Sequence, residues 1–148
     1  MGVANYYFDP SALFKRYIFE HGTELVDRIF SVAKAIYISN LTIVELISNL
    51  KRMNEVDQSM EASTFTAIKN QFFKDIDESI ITIIPLNSPI IIDAVNLIQG
   101  TYITPIDSLQ LATAVALKKK LDEIGFVCAD RKLSILARQE DLEVIHID

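Results

Sequence analysis

Short, nearly continuous apolar runs alternate along the chain with longer segments whose apolar residues recur every three or four positions. The runs predict strands buried on both faces, and the longer segments predict amphipathic helices. Ala4–Phe8 is the first such strand; it stops at Asp9-Pro10-Ser11, where Asp9 suits a helix N-cap and Pro10 the first helical position. Ala12, Leu13, Phe14 and Tyr17 mark that helix, and Leu25, Val26, Ile29 and Phe30 mark another after Gly22. A strand over Ala35–Ser39 leads into a helix over Leu41–Met53, and an amphipathic segment over Asp57–Glu78 pairs with it as a helical hairpin. Ile80–Ile84 is the most β-like run, closed by Pro85; a helix begins at Ser88-Pro89 and ends near Gly100.

Thr104–Leu117 predicts a different kind of helix, apolar or small on almost every side until Lys118-Lys119-Lys120, and therefore one that runs through the interior. Thr104 reads as its N-cap and Pro105 as its first residue, which sets Asp107 in the first turn. That acid either completes a capping box or does chemistry. A turn at Gly125, a strand over Phe126–Ala129, a short helix capped by Asp130 and a last strand over Leu142–Ile147 complete the pattern. Strands alternating with helices predict a three-layer α/β/α fold around a central, mostly parallel sheet of four to five strands. No repeat, low-complexity tract or linker interrupts residues 1–148, so one domain is expected.

The 148 residues suffice to bury roughly 70% of the unfolded chain's surface. No apolar run approaches the roughly 20 residues of a membrane span, and Met1–Asn5 lacks the basic and apolar regions of a leader. Tyr6 stands where a myristoylation signal has Ser or Thr. The single Cys128 excludes an internal disulfide, and the expected location is cytoplasmic. A net charge of −6 argues against charge-driven, non-specific nucleic-acid binding, yet carboxylates gathered to hold cations would contribute to such a deficit.

Ligands of open parallel sheets sit beyond the carboxyl ends of the strands. Asp9 and Asp130 follow strands, Asp107 opens the interior helix, and Glu45 lies about one turn into the helix after the second strand, on a polar face with Ser48, Asn49 and Arg52. These four acids should converge on one sheet edge. Each also has an ordinary reading, as a helix cap or, for Glu45, as a solvated side chain. Crowded carboxylates raise each other's pKa unless a cation sits among them, and hard oxygen donors without Cys or His select Mg²⁺ or Mn²⁺. Ser11 near Asp9 can serve as a supporting donor. There is no Gly-rich phosphate loop and no zinc spacing, and His146 and Cys128 in apolar strands read as structural.

Four stretches carry a family resemblance: Tyr7-Phe8-Asp9-Pro10-Ser11-Ala12-Leu13, Thr42-Ile43-Val44-Glu45-Leu46-Ile47-Ser48 through Arg52, Thr104-Pro105-Ile106-Asp107-Ser108-Leu109-Gln110-Leu111-Ala112, and Val127-Cys128-Ala129-Asp130-Arg131-Lys132-Leu133. In this order and spacing they resemble PIN-domain proteins, most of all the VapC-like toxins of toxin–antitoxin pairs. The resemblance implies a metal-dependent endoribonuclease with Asp9, Glu45, Asp107 and Asp130 as its acidic quartet, an antitoxin partner and a homodimer. Two positions depart from the family: Cys128 stands where Thr is frequent, and Ser108 where a small apolar residue or Leu is common. The chemistry expected is phosphodiester hydrolysis by a water whose pKa is lowered by one or two Mg²⁺ (or Mn²⁺) ions, with Asp9 and Asp107 as inner ligands.

Lys15, Arg16, Arg52, Arg131 and Lys132 neighbour the acids in sequence and are candidates for substrate phosphates, or else ordinary surface charges. Two rival functions remain open: an interaction module whose acids only cap helices, with a partner groove along Leu41–Glu78, and a nuclease that also cuts DNA. A haloacid-dehalogenase-type phosphohydrolase, which also begins with a strand-terminal Asp, is disfavoured because Ser11 occupies the place of its second Asp.

Overall fold

The computed structural model describes residues 4–148; Met1–Val3, the start of the segment read as lacking a leader, lie outside them. The element order is β1 (Asn5–Phe8), α1 (Pro10–Tyr17), α2 (Thr23–Val32), β2 (Ala35–Ser39), α3 (Asn40–Glu55), α4 (Ala62–Asp77), β3 (Ile81–Ile84), α5 (Ser88–Gly100), α6 (Pro105–Leu121), β4 (Gly125–Cys128), α7 (Arg131–Gln139) and β5 (Glu143–His146). The five strands form one sheet in the order β3-β2-β1-β4-β5, and every pairing is parallel. All five carboxyl ends therefore lie along one edge.

Side-chain alternation along the strands divides the core into two layers. Tyr6, Phe8, Ile36, Ile38, Ile81 and Val127 face a cluster completed by α1 to α4 through Leu13, Val26, Ile29, Leu46, Leu50 and Phe72. Tyr7, Phe126 and Cys128 face the opposite layer, where Leu111, Ala114 and Leu117 of α6 and Leu133 and Ala137 of α7 cover them. Ala112 on another side of α6 packs against Ile90 and Ala94 of α5. Buried on several sides, α6 is the interior helix that its composition predicts. Among the described residues no helix is long and apolar enough to cross a membrane.

Several boundaries differ from the sequence pattern, and three of the differences have a clear local cause. Helix α4 begins at Ala62, not Asp57, because the connection enters a left-handed turn at Gln58 (φ 54°) and the Asn54 amide donates to Met60 O across it at 2.9 Å. The turn before β4 is made by Asp122 (φ 64°), while Gly125 pairs with Tyr6 as the first residue of the strand. Strand β3 starts at Ile81, one residue beyond the positive-φ Ser79–Ile80 junction.

The placement of the site follows from this topology. Strand β1 leads into α1 on one face of the sheet, and its neighbour β4 leads into α7 on the other. Where neighbouring strands send their chains to opposite faces, a crevice opens beyond their carboxyl ends. Asp9 and Asp130 stand at that crevice, and Asp9 N donates to Val127 O at 2.9 Å to extend the β1–β4 pairing to its mouth.

Candidate active site

Asp9 is the innermost of the four acids, with only 4% of its surface exposed. Its extended backbone (φ −69°, ψ 148°) ends β1, and its carboxylate caps α1 by accepting from Ser11 N at 3.1 Å. Ser11 Oγ donates to the same Oδ2 at 2.6 Å and accepts from Ala129 N at 3.0 Å, so one hydroxyl joins the β1 and β4 exits. Both bonds fall on Oδ2, and neither engages Oδ1. Burial pushes the Asp9 carboxyl from 3.8 up to about 7; the Ser11 bonds oppose this, and the charges of Asp107 and Glu45 reinforce it.

Asp107 sits in the first turn of α6, half-buried, where Thr104 is the cap: Thr104 Oγ1 accepts from Asp107 N at 3.3 Å. Burial raises its pKa, a Thr104 hydrogen bond lowers it, Asp130 raises it and Lys132 lowers it. Glu45, on the second turn of α3, is likewise raised by burial, lowered by a hydrogen bond from Gln110, and raised by Asp107. Asp130 is exposed and caps α7, accepting from Leu133 N at 2.8 Å. The quartet thus forms a connected set: Asp9 feels Asp107 and Glu45, and Asp107 feels Asp130. The acids that the sequence places at strand exits and helix entries lie near enough to act on one another's charge in these pairs.

None of the four is ion-paired within 4.0 Å to a described Lys, Arg or His, an unusual condition for so many neighbouring acids. Their oxygen donors suit a hard divalent cation, and mutual repulsion would be relieved by one. Among the described residues no three His, Cys, Asp or Glu side chains stand close enough to hold one ion between them.

The basic candidates divide. Lys15 is buried, and its Nζ donates to Glu20 Oε1 at 3.1 Å and His21 O at 2.8 Å. Arg16 donates to Asp27 at 2.8 Å and lies 4.5 Å from the Phe30 ring centroid. Both cations are engaged away from the acids. Arg52 is exposed and loosely paired with Asp57 at 3.9 Å; Ser48 is exposed beside it on α3. Arg131 is exposed, and Lys132 alone among these cations acts on an acid of the set, while its Nζ lies 5.1 Å from the ring centroid of the exposed Tyr102.

Cys128 Sγ accepts from Asp130 N and donates to Asp130 O, both at 3.3 Å, and lies 3.9 Å from Ser11 Oγ. Burial pushes its thiol up to about 12, so it holds the turn into α7 as a neutral group. Ser134, His146 and Asp148 line up as hydroxyl, imidazole and carboxylate at 2.9 Å each, but Ser134 is 1% exposed and no substrate reaches it. This arrangement is structural.

One polar group had no role assigned from the sequence. Gln110, one turn beyond Asp107, is fully buried. Its Oε1 accepts from the Tyr7 hydroxyl, and its Nε2 donates to Thr42 Oγ1 at 2.8 Å and to Glu45 Oε1 at 3.0 Å. Its only signal in the sequence is an amide inside an apolar helix.

No curated protein sequence matches the chain. Among solved structures it is similar to a chain in a structure of FitAB bound to an IR36 DNA fragment, with a TM-score of 0.66, 15% identity and coverage of 95% of this chain and 93% of that one. A chain of FitAcB from Neisseria gonorrhoeae aligns with a TM-score of 0.63 at 16% identity, covering 95% and 96%. A chain of VapBC2 from Rickettsia felis, bound to a DNA fragment from its promoter, aligns with a TM-score of 0.62 at 17% identity, covering 97% and 99%. At these identities the likeness is one of fold. The sequence profile of the PIN domain, however, matches residues 6–139, nearly the whole chain from β1 to α7. The chain belongs to the PIN-domain family.

Proposed function

We propose that this chain is a Mg²⁺- or Mn²⁺-dependent endoribonuclease, one domain over residues 1–148, and the toxin of a toxin–antitoxin pair. PIN domains are generally nucleases and typically use divalent metals. The observation that carries the reading is Asp9: a carboxylate almost sealed from water at the β1–β4 crevice, acted on by two further acids and matched by no cationic side chain within 4.0 Å. Burying a charge in that way is unfavourable unless something else neutralises it.

In this reading Asp9 and Asp107 hold the cation, with Asp130 a ligand directly or through water. A bound divalent cation supplies a water of lowered pKa and stabilises charge on the phosphate and the leaving oxygen. Glu45, with Oε1 tied to Gln110, keeps its second oxygen to orient the attacking water or to bind a further cation. Ser11 fixes the Asp9 carboxylate, and Ser48 lies farther along the exposed face of α3. Lys132, with Arg131 and Arg52, meets substrate phosphates, and Tyr102 offers a ring face on which an unpaired base stacks.

The partner proposals rest on the resemblance to VapC-like toxins and on the fold shared with chains of FitAB and VapBC2. The α3 depression lined by Ile43, Val44 and Ile47 suits an apolar antitoxin segment. The exposed Ile91, Ile92 and Val95 of α5 suit a second copy of the chain in a cytoplasmic homodimer.

The test is cleavage of single-stranded RNA and DNA by purified protein with Mg²⁺, Mn²⁺ or EDTA, beside Asp107→Asn. RNA cutting that needs the metal and vanishes in the variant is expected. Cutting of DNA as well marks a broader nuclease. The rival reading draws on the cap bonds of Asp9 and Asp130, which give both acids a structural purpose; absence of cutting and of calorimetric metal binding would favour it.

A further inference from the structure

We infer that Gln110 is a positioning residue that aims the Glu45 carboxylate into the crevice, and that Tyr7 sets the direction of the Gln110 amide. The inference rests on the nuclease reading above and assigns parts of the same site.

A primary amide has two chemically different ends, and its surroundings decide which way it points. The nitrogen end of Gln110 meets Glu45 Oε1 at 3.0 Å and Thr42 Oγ1 at 2.8 Å, and the oxygen end meets the Tyr7 hydroxyl. The reverse orientation would set the amide oxygen against an ionised carboxylate, which only accepts. With Tyr7 donating to Oε1, both amide hydrogens are directed at α3. Gln110, Thr42 and Tyr7 are all fully buried, so no water competes for the bonds that set the amide's direction, while the half-buried Glu45 carboxylate meets it from the crevice side.

The three elements joined carry or lead into three of the four acids. Tyr7 lies two residues before Asp9 on β1, Gln110 one turn after Asp107 on α6, and Thr42 one turn before Glu45 on α3. The amide thereby fixes the distance from the Glu45 turn to the strand that ends in Asp9. The Gln110 bond is what holds the Glu45 side chain, since its carboxylate enters no ion pair within 4.0 Å among the described residues. A carboxylate left to sample several rotamers would act poorly on water or cation. Groups that orient ligands in this way typically change metal affinity or activity by about 10–100-fold when removed.

Gln110→Met keeps the length and the apolar contacts of the side chain and removes both donors and the acceptor. The expected result is a kcat for RNA cleavage lowered by about 10–100-fold with KM within about threefold, and Mn²⁺ affinity weakened by calorimetry in the absence of RNA. Tyr17→Phe is the control for lost stability, because it deletes a 2.6 Å bond to the buried Asp75 on the other face of the sheet. It should lower Tm and leave kcat and Mn²⁺ affinity unchanged. Should Gln110→Met fail to fold, Tyr7→Phe leaves the amide but frees its orientation, and a smaller fall in both readouts is expected.

A Gln110→Met protein that melts earlier yet keeps wild-type kcat and Mn²⁺ affinity would overturn the inference, as would an unaltered Tyr7→Phe where the first variant does not fold. Wild-type protein that neither cuts RNA nor binds Mn²⁺ would instead overturn the nuclease reading, and this assignment with it.

Discussion

Asp9→Asn separates the chemical reading of the site from the structural one, because only the chemical reading predicts a gain in stability when the charge is removed. In the unfolded chain this carboxyl ionises near 3.8; in the folded, metal-free protein burial holds it protonated up to about 7. Between those values the folded state binds a proton that the unfolded state has lost, so stability falls as pH rises and reaches its floor above about 7. At about 1.4 kcal/mol per pH unit the loss across the window is ~4 kcal/mol. Asp9 is 4% exposed, so solvent screening does little to reduce this figure. Glu45 and Asp107 are raised too and slope the same way.

Asn has nearly the same shape, and its carbonyl oxygen can accept from Ser11 N and Oγ as the carboxylate does, so the α1 cap survives while the charge is lost. In EDTA at about pH 8 the variant should be more stable than wild type by up to ~4 kcal/mol, a Tm higher by roughly 8–16 °C for a chain of this size. At about pH 4 the two should melt together, since wild-type Asp9 is then neutral. Mn²⁺ narrows the gap: at 100 times its Kd the ion adds about 2.7 kcal/mol to wild type and little to the variant, and at 1,000 times Kd, where it adds about 4.1 kcal/mol, the two should melt together. Thermal melts at both pH values, with and without Mn²⁺, give all four quantities, beside cleavage assays in which Asp9→Asn is inactive. If Asp9→Asn melts below wild type at about pH 8 in EDTA, the carboxylate is a stabilising cap, and the argument from its burial fails.

Other consequences are checked more simply. Removing the divalent ion with EDTA should abolish cleavage and lower Tm most above about pH 7, where Asp9 would otherwise stand ionised and unmatched, as scanning calorimetry would record. Lys132→Ala should raise KM for RNA and reduce the slope of log K against log salt by about 1, with kcat little changed; Tyr102→Ala should weaken RNA binding by ~1–3 kcal/mol in a fluorescence titration. Lys15→Met should lower Tm, as Glu20 and His21 O lose their donor, without raising KM for RNA, since that cation is committed within the fold. Cys128→Thr exchanges a weak thiol partner of Asp130 for a stronger hydroxyl; Mn²⁺ affinity should tighten by about threefold or more, read by calorimetry.

What the sequence made legible, and what it hid, follows the distance over which each interaction acts. A strand buried on both faces must be apolar throughout, so Tyr6-Tyr7-Phe8 announces itself; the edge strand Ile81-Thr82-Ile83-Ile84 does so by its β-branched residues, and the order of strands and helices limits the sheet to a parallel one. Asp9, Asp107 and Asp130 were readable because helix entries are local: Pro10 and Pro105 mark first turns near Asp9 and Asp107, and Asp130 follows an apolar strand run as a cap. The start of α4 was misplaced because a polar stretch of helical composition was diverted by a single left-handed residue, Gln58. Lys15 has the spacing of a phosphate ligand, and only the folded chain shows Glu20 returning to take its charge. Gln110 was invisible for the strongest reason: its partners lie 103, 68 and 65 residues away, and no periodicity encodes them.

Capping and chemistry are not alternatives at this edge of the sheet. An N-cap residue is held in extended backbone at the one place where a strand stops and a helix begins, which is also where the crevice opens. The Ser11 bonds occupy one oxygen of Asp9, and the Leu133 bond one oxygen of Asp130, each leaving the other free. The cap therefore orients the carboxylate without consuming it. This is why local rules that predict a cap at Asp9 and Asp130 point to the same residues as the proposed site, and why only the charge-removing Asn substitutions, which leave the caps in place, can tell the two roles apart.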